Sequence, residues 1–431
     1  MTTPGDHPTR TPGGQRVPFP TVDEIARHCL QDDEPETVHI EVHLTGHLDP
    51  ARLNTAFDQA LRHHPRILMR ETPRHWYASR YTWELADTPD IPPVSFPEPT
   101  PDALERARTR SLTQVPPLTA APPVRLESVA HPETGNTVLF LTVHHTALDG
   151  PACLRVLATA AELYGGRDNS PPPVPSAAPR RPVLPGLPSS WTRPARVAPG
   201  APEPGNGNGL LVCDLALPRR PKGAPYTVND QLMVATARTI ADWNKEHGMR
   251  RARRPLRITM PVDDRPRDET MPIGNGTRLV EVPLTVAELK QPLSALLRLT
   301  AARTTALKSL ARPPLGYRAV LLTKPWAPVS WRATATRALR TAAAPWTSTT
   351  LLSNIGRVPY PLDFGDGGRA RALWFSAPAR MPRGLTLTTA STAGRLHLAL
   401  RWSRTLLSHG DGSRLRDLFE HHLHATQEQA P

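Results

Sequence analysis

The run His-His-Thr-Ala-Leu-Asp-Gly, residues 144–150, holds the side chains best suited to chemistry. Histidine titrates near neutral pH, so an uncharged imidazole can take a proton from a hydroxyl or an amine. Asp149 follows His145 by four residues, close enough to shape the turn or to hold an arginine from elsewhere in the chain. Gly150 leaves room for a substrate beside the backbone. This pattern predicts a general-base site.

The flanking elements predict how the run is positioned. The apolar segment 137–143 is typical of a buried strand and leads directly into the histidines. Pro151 then begins a helix, whose N-terminus directs positive potential toward the site. Adjacent strand residues point to opposite faces, so only one of the two histidines faces the reaction. The same alternation argues against a metal site, because both rings rarely reach one ion.

A structural interpretation of these histidines also exists, as satisfied polar groups beside a sheet. The pairs His63-His64 and His421-His422 lie on predicted helices without a comparable context. We give those two pairs the structural interpretation. The position of residues 144–150 between a strand and a helix favours the chemical one for His145.

The distribution of proline and glycine predicts the domain organisation. The chain has 431 residues and 52 prolines, and residues 168–209 read as a Pro/Gly-rich linker or crossover. We expect a disordered N-terminal tail (1–16), an N-terminal subdomain carrying the histidines (17–167) and a C-terminal subdomain (210–431). Strand and helix patterns alternate on both sides of the linker, which predicts an α/β (α+β) fold with mixed sheets.

Composition limits the class of protein and its compartment. The N-terminus lacks a secretory signal, no apolar stretch is long enough to span a bilayer, and the three cysteines lack metal or disulfide spacing. A cytoplasmic protein without a membrane partner is therefore expected. The formal charge of +13 could attract nucleic acid, an acidic protein partner or a phosphate-bearing substrate, and a compositional bias toward arginine explains it equally. The cluster Arg250, Arg251, Arg253, Arg254 and Arg257 contains no interleaved aromatic residues, which argues against a nucleic-acid partner.

At this point the sequence resembles a known superfamily. The run 144–150 is similar to the HHxxxDG motif of nonribosomal peptide synthetase condensation domains, which chloramphenicol acetyltransferase, polyketide-associated acyltransferases and wax ester synthases share. Further segments resemble the family in the same order along nearly the whole chain: Gly46–Leu53, His63–Leu68, Pro122–Arg125, Val228–Ala235, Met260–Arg265, Ile273–Gly276 and Ser353–Gly356.

The resemblance implies a fold of two chloramphenicol-acetyltransferase-like subdomains arranged as a V around a central tunnel. His145 would be the base that helps an acceptor attack a thioester, with His144 supportive. Asp149 would be structural and pair with Arg265, and Gly150 would keep the channel open. Asn275, Ser353 and Asn354 would lie near the substrate channel, although turn and cap roles are equally open for these three.

For function, the resemblance implies an acyltransferase of secondary metabolism that forms an ester or amide. A carrier protein in trans would bring the acyl thioester to a small-molecule hydroxyl or amine acceptor. No cofactor is expected, because phosphopantetheine or coenzyme A enters as part of the donor. No acyl-enzyme is implied, since no nucleophile adjoins His145 in the sequence. The alternatives are an acyl-coenzyme A-dependent O-acyltransferase of lipid or polyketide type and a non-catalytic scaffold.

Overall fold

The computed structural model describes residues 14–31, 34–172, 191–205, 207–249, 254–266, 268, 270–310, 315 and 317–427. Residues 1–13 of the predicted tail and residues 173–190 of the predicted linker lie outside this part of the chain. In the described parts, no helix combines the length and apolarity needed to cross a membrane.

The described residues before the predicted linker form strands and helices in alternation. In chain order these are β1 (Arg16–Pro18), α1 (Thr21–His28), β2 (Thr37–Leu44), α2 (Pro50–His63), β3 (Met69–Glu71), β4 (Thr82–Leu85), β5 (Val94–Ser95), α3 (Ala103–Thr113), β6 (Val124–Ala130), β7 (Thr137–His144) and α4 (Gly150–Gly165). Every residue of β7 is buried, as its apolar pattern predicts. The Asp49 side chain caps α2, since it accepts from the Arg52 backbone N–H.

The later residues continue the same alternation. They form β8 (Asn208–Ala216), α5 (Val228–Glu246), β9 (Leu256–Asp263), β10 (Thr277–Leu284), α6 (Val286–Leu289), α7 (Leu293–Ser309), α8 (Tyr317–Thr323), α9 (Val329–Ala343), β11 (Thr350–Arg357), β12 (Ala370–Ser376), β13 (Leu385–Thr392), β14 (Arg395–Ser403) and α10 (His409–Ala425). β9 continues through Pro261 to Asp263. Pro261 is paired with Leu279 of β10 and lies beyond the residues of β9 that pair with β11. Its missing N–H therefore interrupts no pairing between β9 and β11.

Three sheets organise the chain. The first sheet has five strands in the order β12-β2-β7-β6-β5, and the second has six in the order β10-β9-β11-β13-β14-β8. A small third sheet has the order β1-β4-β3. The first and second sheets each contain parallel and antiparallel neighbours, which confirms the predicted mixed α/β fold.

One strand crosses between the two portions of the chain. β12 follows β11 in sequence, yet it pairs antiparallel with β2 at the edge of the first sheet. The second portion therefore supplies a strand to the sheet of the first portion. Two helices of the second portion, α8 and α9, also pack against α1 of the first portion. This exchange joins the two halves and places their strand ends around one shared cavity.

Candidate active site

The turn between β7 and α4 carries the histidine motif. Asp149 is the N-cap of α4, and its Oδ1 accepts a hydrogen bond from the Ala152 backbone N–H at 3.1 Å. The helix begins at Gly150, with Pro151 at its second position, where no backbone N–H is required. The strand end and the capped helix together fix the residues between them. The local sequence is therefore sufficient to form this turn.

His145 lies on this turn and lines a cavity of about 610 Å³ between the two halves of the chain. Its Nδ1 lies 3.1 Å from the carbonyl oxygen of Leu148. A carbonyl can only accept, so Nδ1 carries the proton and donates it to this bond. In the neutral ring Nε2 is then left with its lone pair. The backbone N–H of His145 donates to the carbonyl of Glu36 at 2.9 Å, which anchors the turn to the chain just before β2.

The electrostatic surroundings keep this ring neutral. Burial lowers the pKa of His145 below its ordinary value of 6.5, and the nearby Arg401 guanidinium acts in the same direction. Asp149 and the bond to Leu148 oppose these effects without reversing them. His145 is therefore an uncharged imidazole at neutral pH, as a proton acceptor must be.

His144 points away from this cavity, as the strand alternation predicts. The side chain is buried, and its Nδ1 accepts from the Thr146 backbone N–H at 3.2 Å. Burial lowers the pKa of His144 to about 3, so this ring is also neutral. Its contacts stabilise the turn rather than reach the cavity.

Asp149 and Arg265 form the ion pair expected from the sequence. Nη2 of Arg265 lies 2.7 Å from Oδ2 and 2.9 Å from Oδ1 of Asp149. The same carboxylate accepts from the backbone N–H of Gly276 at 2.9 Å. Although burial alone would lower the pKa of Arg265, the carboxylates of Asp263 and Asp149 hold it above its ordinary value. Asp149 thus links α4 to the β9–β10 connection and is not available as a base.

Two glycines near this ion pair have different structural requirements. A Cβ added at Gly276 would lie 2.4 Å from Nε of Arg265, so only glycine fits without displacing the guanidinium. A Cβ added at Gly150 would meet no atom within 4 Å, and Gly150 lines the cavity. A side chain at position 150 would therefore project into the open space of the cavity. The role of Gly150 in keeping a channel open stays a prediction.

Asn275 lies beneath the turn. Its Nδ2 donates to the backbone carbonyls of Thr146 at 2.9 Å and His145 at 3.2 Å, and to Oδ1 of Asp23 at 2.9 Å. These bonds occupy the amide in holding the turn, so the turn role describes Asn275 better than the substrate-channel role. Burial raises the pKa of Asp23 to about 6, and the hydrogen bonds from Asn275 and Trp83 partly offset that effect.

Ser353 and Asn354 both line the cavity. Oδ1 of Asn354 accepts from the Gly356 backbone N–H at 2.8 Å and from the Thr389 hydroxyl at 3.1 Å, across the irregular end of β11. Asn354 therefore has a structural role as well as a place on the cavity wall. The structure brings His145, Asp149, Gly150, Ser353 and Asn354 to one cavity.

Three residues of the site were missed by the sequence analysis. Glu36 provides the carbonyl that anchors His145, Asp23 braces Asn275, and Arg401 places a buried positive charge near the ring. Arg401 donates to the Thr37 carbonyl at 2.7 Å, across 364 positions of the chain. No local pattern contains such a contact, because it depends on how β14 of the second sheet meets β2 of the first.

Comparison with known proteins places this architecture among characterised folds. No protein-family model matches the chain. Two proteins of Mycobacterium tuberculosis, both named as uncharacterized, are 29% identical over 377 residues: Rv2305 of strain ATCC 25618 / H37Rv and MT2362 of strain CDC 1551 / Oshkosh. The match covers 80% of this chain and 84% of each relative.

Solved structures are similar over nearly the whole chain. The condensation domain of the monacolin K polyketide synthase MokA matches with a TM-score of 0.63 and 13% identity, covering 96% of this chain and 98% of that one. The starter condensation domain of rhizomide synthetase RzmA gives 0.62 and 16%, covering 94% and 93%. The trichothecene 15-O-acetyltransferase TRI3 of Fusarium sporotrichioides gives 0.62 and 12%, covering 96% and 95%. At these identities the likeness establishes the fold, and it confirms the family of folds expected from the sequence.

Proposed function

Because the chain has the fold of condensation domains and related acyltransferases, we propose that it transfers an acyl group from a thioester to a hydroxyl or amine acceptor. The observation that carries this proposal is the state of His145. Its ring is neutral, Nδ1 is committed to Leu148, and the residue lines a cavity built by both halves of the chain. Such a ring can receive a proton from an acceptor bound there.

The chemical step follows from the ring's hydrogen-bond state. The acceptor oxygen or nitrogen attacks the thioester carbonyl carbon while Nε2 of His145 takes the acceptor's proton. The tetrahedral intermediate then expels the thiolate, which recovers that proton from Nε2 and leaves as the free thiol. Nδ1 keeps its proton throughout, and the Leu148 carbonyl stabilises the positive charge that forms briefly on the ring.

The cysteine nearest to the motif in sequence is not suited to form an acyl-enzyme, which agrees with direct transfer. Cys153 lies on α4 and is fully buried. Burial raises the pKa of Cys153 well above its ordinary value, so the thiolate needed for nucleophilic attack does not form near neutral pH.

For the donor, we favour an acyl group on a carrier protein supplied in trans, in the cytoplasm and within secondary metabolism. The net charge of +13 complements an acidic carrier. Among the structural neighbours, RzmA is a starter condensation domain solved with C8-CoA and Leu-SNAC, and TRI3 is named an O-acetyltransferase. Acyl-coenzyme A is therefore the alternative donor that the experiment must include.

The test is a mass-spectrometric assay that pairs acyl-carrier and acyl-coenzyme A donors with small amine and alcohol acceptors. We expect His145→Ala to reduce product formation by about 10²- to 10⁴-fold, the usual contribution of a positioned base. His63→Ala is the matched control, because His63 is an exposed histidine at the end of α2. Carrier-dependent activity should also fall as salt is raised.

The outcomes separate the hypotheses. Equal activity in a folded His145→Ala variant and in wild type would exclude His145 as the base. A reaction that depends on acyl-coenzyme A and ignores carrier protein would select the alternative donor. Absence of turnover with every pair would favour a scaffold role for the same fold.

A further inference from the structure

An arginine on the cavity wall forms no ion pair within 4.0 Å with any of the described residues. Arg383 precedes β13 and lines the cavity together with His145. Its Nε and Nη2 donate to the Ser348 hydroxyl at 3.2 and 2.9 Å, and Nη2 lies 3.5 Å from Oγ1 of Thr259. Its Nη1 donates to no atom of the described chain, which leaves N–H groups free for a ligand.

None of the carboxylates on the cavity wall forms an ion pair with Arg383. Each pairs with another arginine: Asp149 and Asp263 with Arg265, Asp264 with Arg278, and Glu36 with Arg380. Lys308 also lines the cavity but is exposed to solvent. Arg383 is therefore a half-buried cation whose hydrogen bonds within the described chain go to hydroxyl groups alone.

Placing this guanidinium here is unfavourable without a ligand. Burial lowers the pKa of Arg383 to about 10, and the attraction of Glu281 compensates only in part. The Glu281 carboxylate is itself 3.4 Å from Arg257, so it is shared. A charge held away from water without a counter-charge destabilises a fold, and such charges are commonly found where a ligand supplies the missing partner.

We propose that the cavity binds a substrate bearing a carboxylate, and that Arg383 receives that carboxylate. A guanidinium with free, coplanar N–H groups matches a carboxylate, because arginine pairs with planar carboxylates in a two-bond geometry. The inference rests on the proposed function only in treating this cavity as the substrate site.

Direct binding tests this inference without any turnover, so its failure is distinct from failure of the proposed acyl transfer. Isothermal titration would compare octanoate with octanamide, and benzoate with benzamide, on the wild-type protein. Each acid is expected to bind roughly tenfold to a hundredfold more tightly than its amide. Arg383→Met should remove this preference, whereas Lys308→Met, which changes the exposed cation, should keep it.

A thermal-melting experiment separates recognition from a merely structural role. Arg383→Met removes an uncompensated charge, so its melting temperature should equal or exceed that of wild type. Equal binding of acid and amide by wild type would overturn the proposal, whatever the variants do. The proposal would also be overturned if Arg383→Met kept the preference for the acid over its amide, or if Lys308→Met lost it. Tighter binding of inorganic phosphate than of benzoate would overturn it as well.

A second feature lies on the outer surface, away from the cavity. Trp76, Tyr77, Trp326 and Trp331 expose 60–76% of their surface, and Leu321 exposes 58%. We call these five residues the aromatic surface. Its two parts are adjacent, because the Val329 N–H donates to the Ala78 carbonyl at 2.8 Å and the Ser330 hydroxyl lies 3.4 Å from the Trp76 carbonyl. Soluble proteins rarely expose so many large aromatic side chains together.

The charge around the aromatic surface has one sign. Residues 289–362 contain eleven Lys and Arg and no Asp or Glu. Arg80, Lys324 and Arg337 are exposed on the loops and helix that carry the aromatic side chains. Glu24, which interacts with Arg80, and Glu71, which pairs with Arg27 and Arg74, are both buried. The exposed charge is therefore basic.

The geometry points to peripheral binding of an anionic lipid membrane by the aromatic surface. Tryptophan and tyrosine rings are favourable at the boundary between acyl chains and headgroups, and the basic residues complement anionic headgroups. The sequence analysis expected no membrane partner because it found no spanning segment. Peripheral binding requires none.

Vesicle co-sedimentation of the full chain tests this second proposal. Vesicles of phosphatidylcholine and phosphatidylglycerol in equal parts should bind the protein, and pure phosphatidylcholine should bind it much less. The double variant Trp326→Ala/Trp331→Ala should weaken binding at least about tenfold, and each of Lys324→Gln and Arg337→Gln about fivefold. Phe96→Ala, which alters an exposed aromatic residue elsewhere, is the matched control.

Three results would overturn the membrane proposal. The first is failure of wild type to bind the anionic vesicles. The second is equal loss of binding in Phe96→Ala and in the tryptophan variant. The third is that the tryptophan variant keeps vesicle binding but loses affinity for an acidic acyl carrier protein, which would assign the surface to a protein partner.

Discussion

At the scale of single residues, the two adjacent histidines differ because of what their Nδ1 atoms contact. Nδ1 of His145 donates to a carbonyl, which leaves Nε2 as an acceptor on the cavity side. Nδ1 of His144 accepts from a backbone N–H, so that ring must carry its proton on Nε2. The tautomers are opposite, and only that of His145 suits a base.

The pH dependence of activity should report the lowered pKa of His145. A general base works in its neutral form, which is present above its pKa. Since burial lowers that pKa below 6.5, activity should be constant at and above neutral pH and fall only as the pH drops below 6.5. Initial rates of acyl transfer between pH 5 and 8 measure this. A half-maximal rate above pH 7 would contradict the assignment.

His144 should make the folded state sensitive to acid. Its pKa is about 3 when folded and 6.5 when unfolded, so the unfolded chain binds the proton first. The stability that the neutral ring provides is complete above pH 6.5 and is lost by about 1.4 kcal/mol per pH unit as the pH falls toward 3. The difference in unfolding free energy between wild type and His144→Asn, measured in urea, should therefore be largest at pH 7 and smaller by about 2 kcal/mol at pH 5. A gap that does not change with pH would contradict this.

The family resemblance implied the pairing of Asp149 with Arg265, and the sequence pattern alone was sufficient to place His145, Asp149 and Gly150 on a turn between a strand and a capped helix. It was insufficient for Arg383, which has no motif and gains meaning only from the charges around it. The interpretation of Asn275 was open for a related reason. An amide after a glycine can bind substrate or a turn, and only the position of the histidine turn above it decides between them.

At the scale of elements, the start of α4 depends on the Asp149 cap and on the space beside it. Gly150→Ala should leave stability unchanged or raise it by up to about 1 kcal/mol, because alanine favours a helix and its Cβ meets no atom. The same Cβ enters the cavity, so acyl transfer should be slower. Urea unfolding and initial rates on one sample separate the two effects.

Gly276→Ala is the matched variant with the opposite expectation. Its Cβ would collide with the Arg265 guanidinium and displace it from Asp149, so we expect a loss of about 3 kcal/mol in the free energy of unfolding. If Gly150→Ala proved as destabilising as Gly276→Ala, the open space beside α4 would not exist. If Gly150→Ala kept full activity, that space would not be used by substrate.

The apolar run 137–143 was sufficient to predict β7. The break between α6 and α7 lies at Pro292, which begins α7 as its N-cap. The partnership of β12 was unpredictable. Its alternation identifies a strand, but the choice of β2 as its neighbour depends on long-range packing that leaves no local pattern.

At the scale of the whole molecule, the two halves are joined by exchange rather than by simple contact. β12 completes the first sheet from the second portion of the chain, and Arg401 of β14 donates to the Thr37 carbonyl and hydroxyl at the start of β2. The cavity wall is built from both halves, so its shape depends on their staying together. The predicted division at residues 168–209 describes the sequence but does not account for this shared strand.

This connection predicts that the two large sheets unfold together. Hydrogen exchange in increasing urea should release the amides of β7 and β14 at the same concentration, because neither sheet keeps its edge contacts without the other. Arg401→Gln should lower the free energy of unfolding that both strands report by about 3 kcal/mol, since it removes buried charge-assisted hydrogen bonds. Arg404→Gln breaks an exposed ion pair with Glu203 and should change that free energy by less than about 1 kcal/mol in either strand. Earlier exchange of β7 while β14 stays protected would mean that the halves are independent domains, and the cavity around His145 would then vary with their separation.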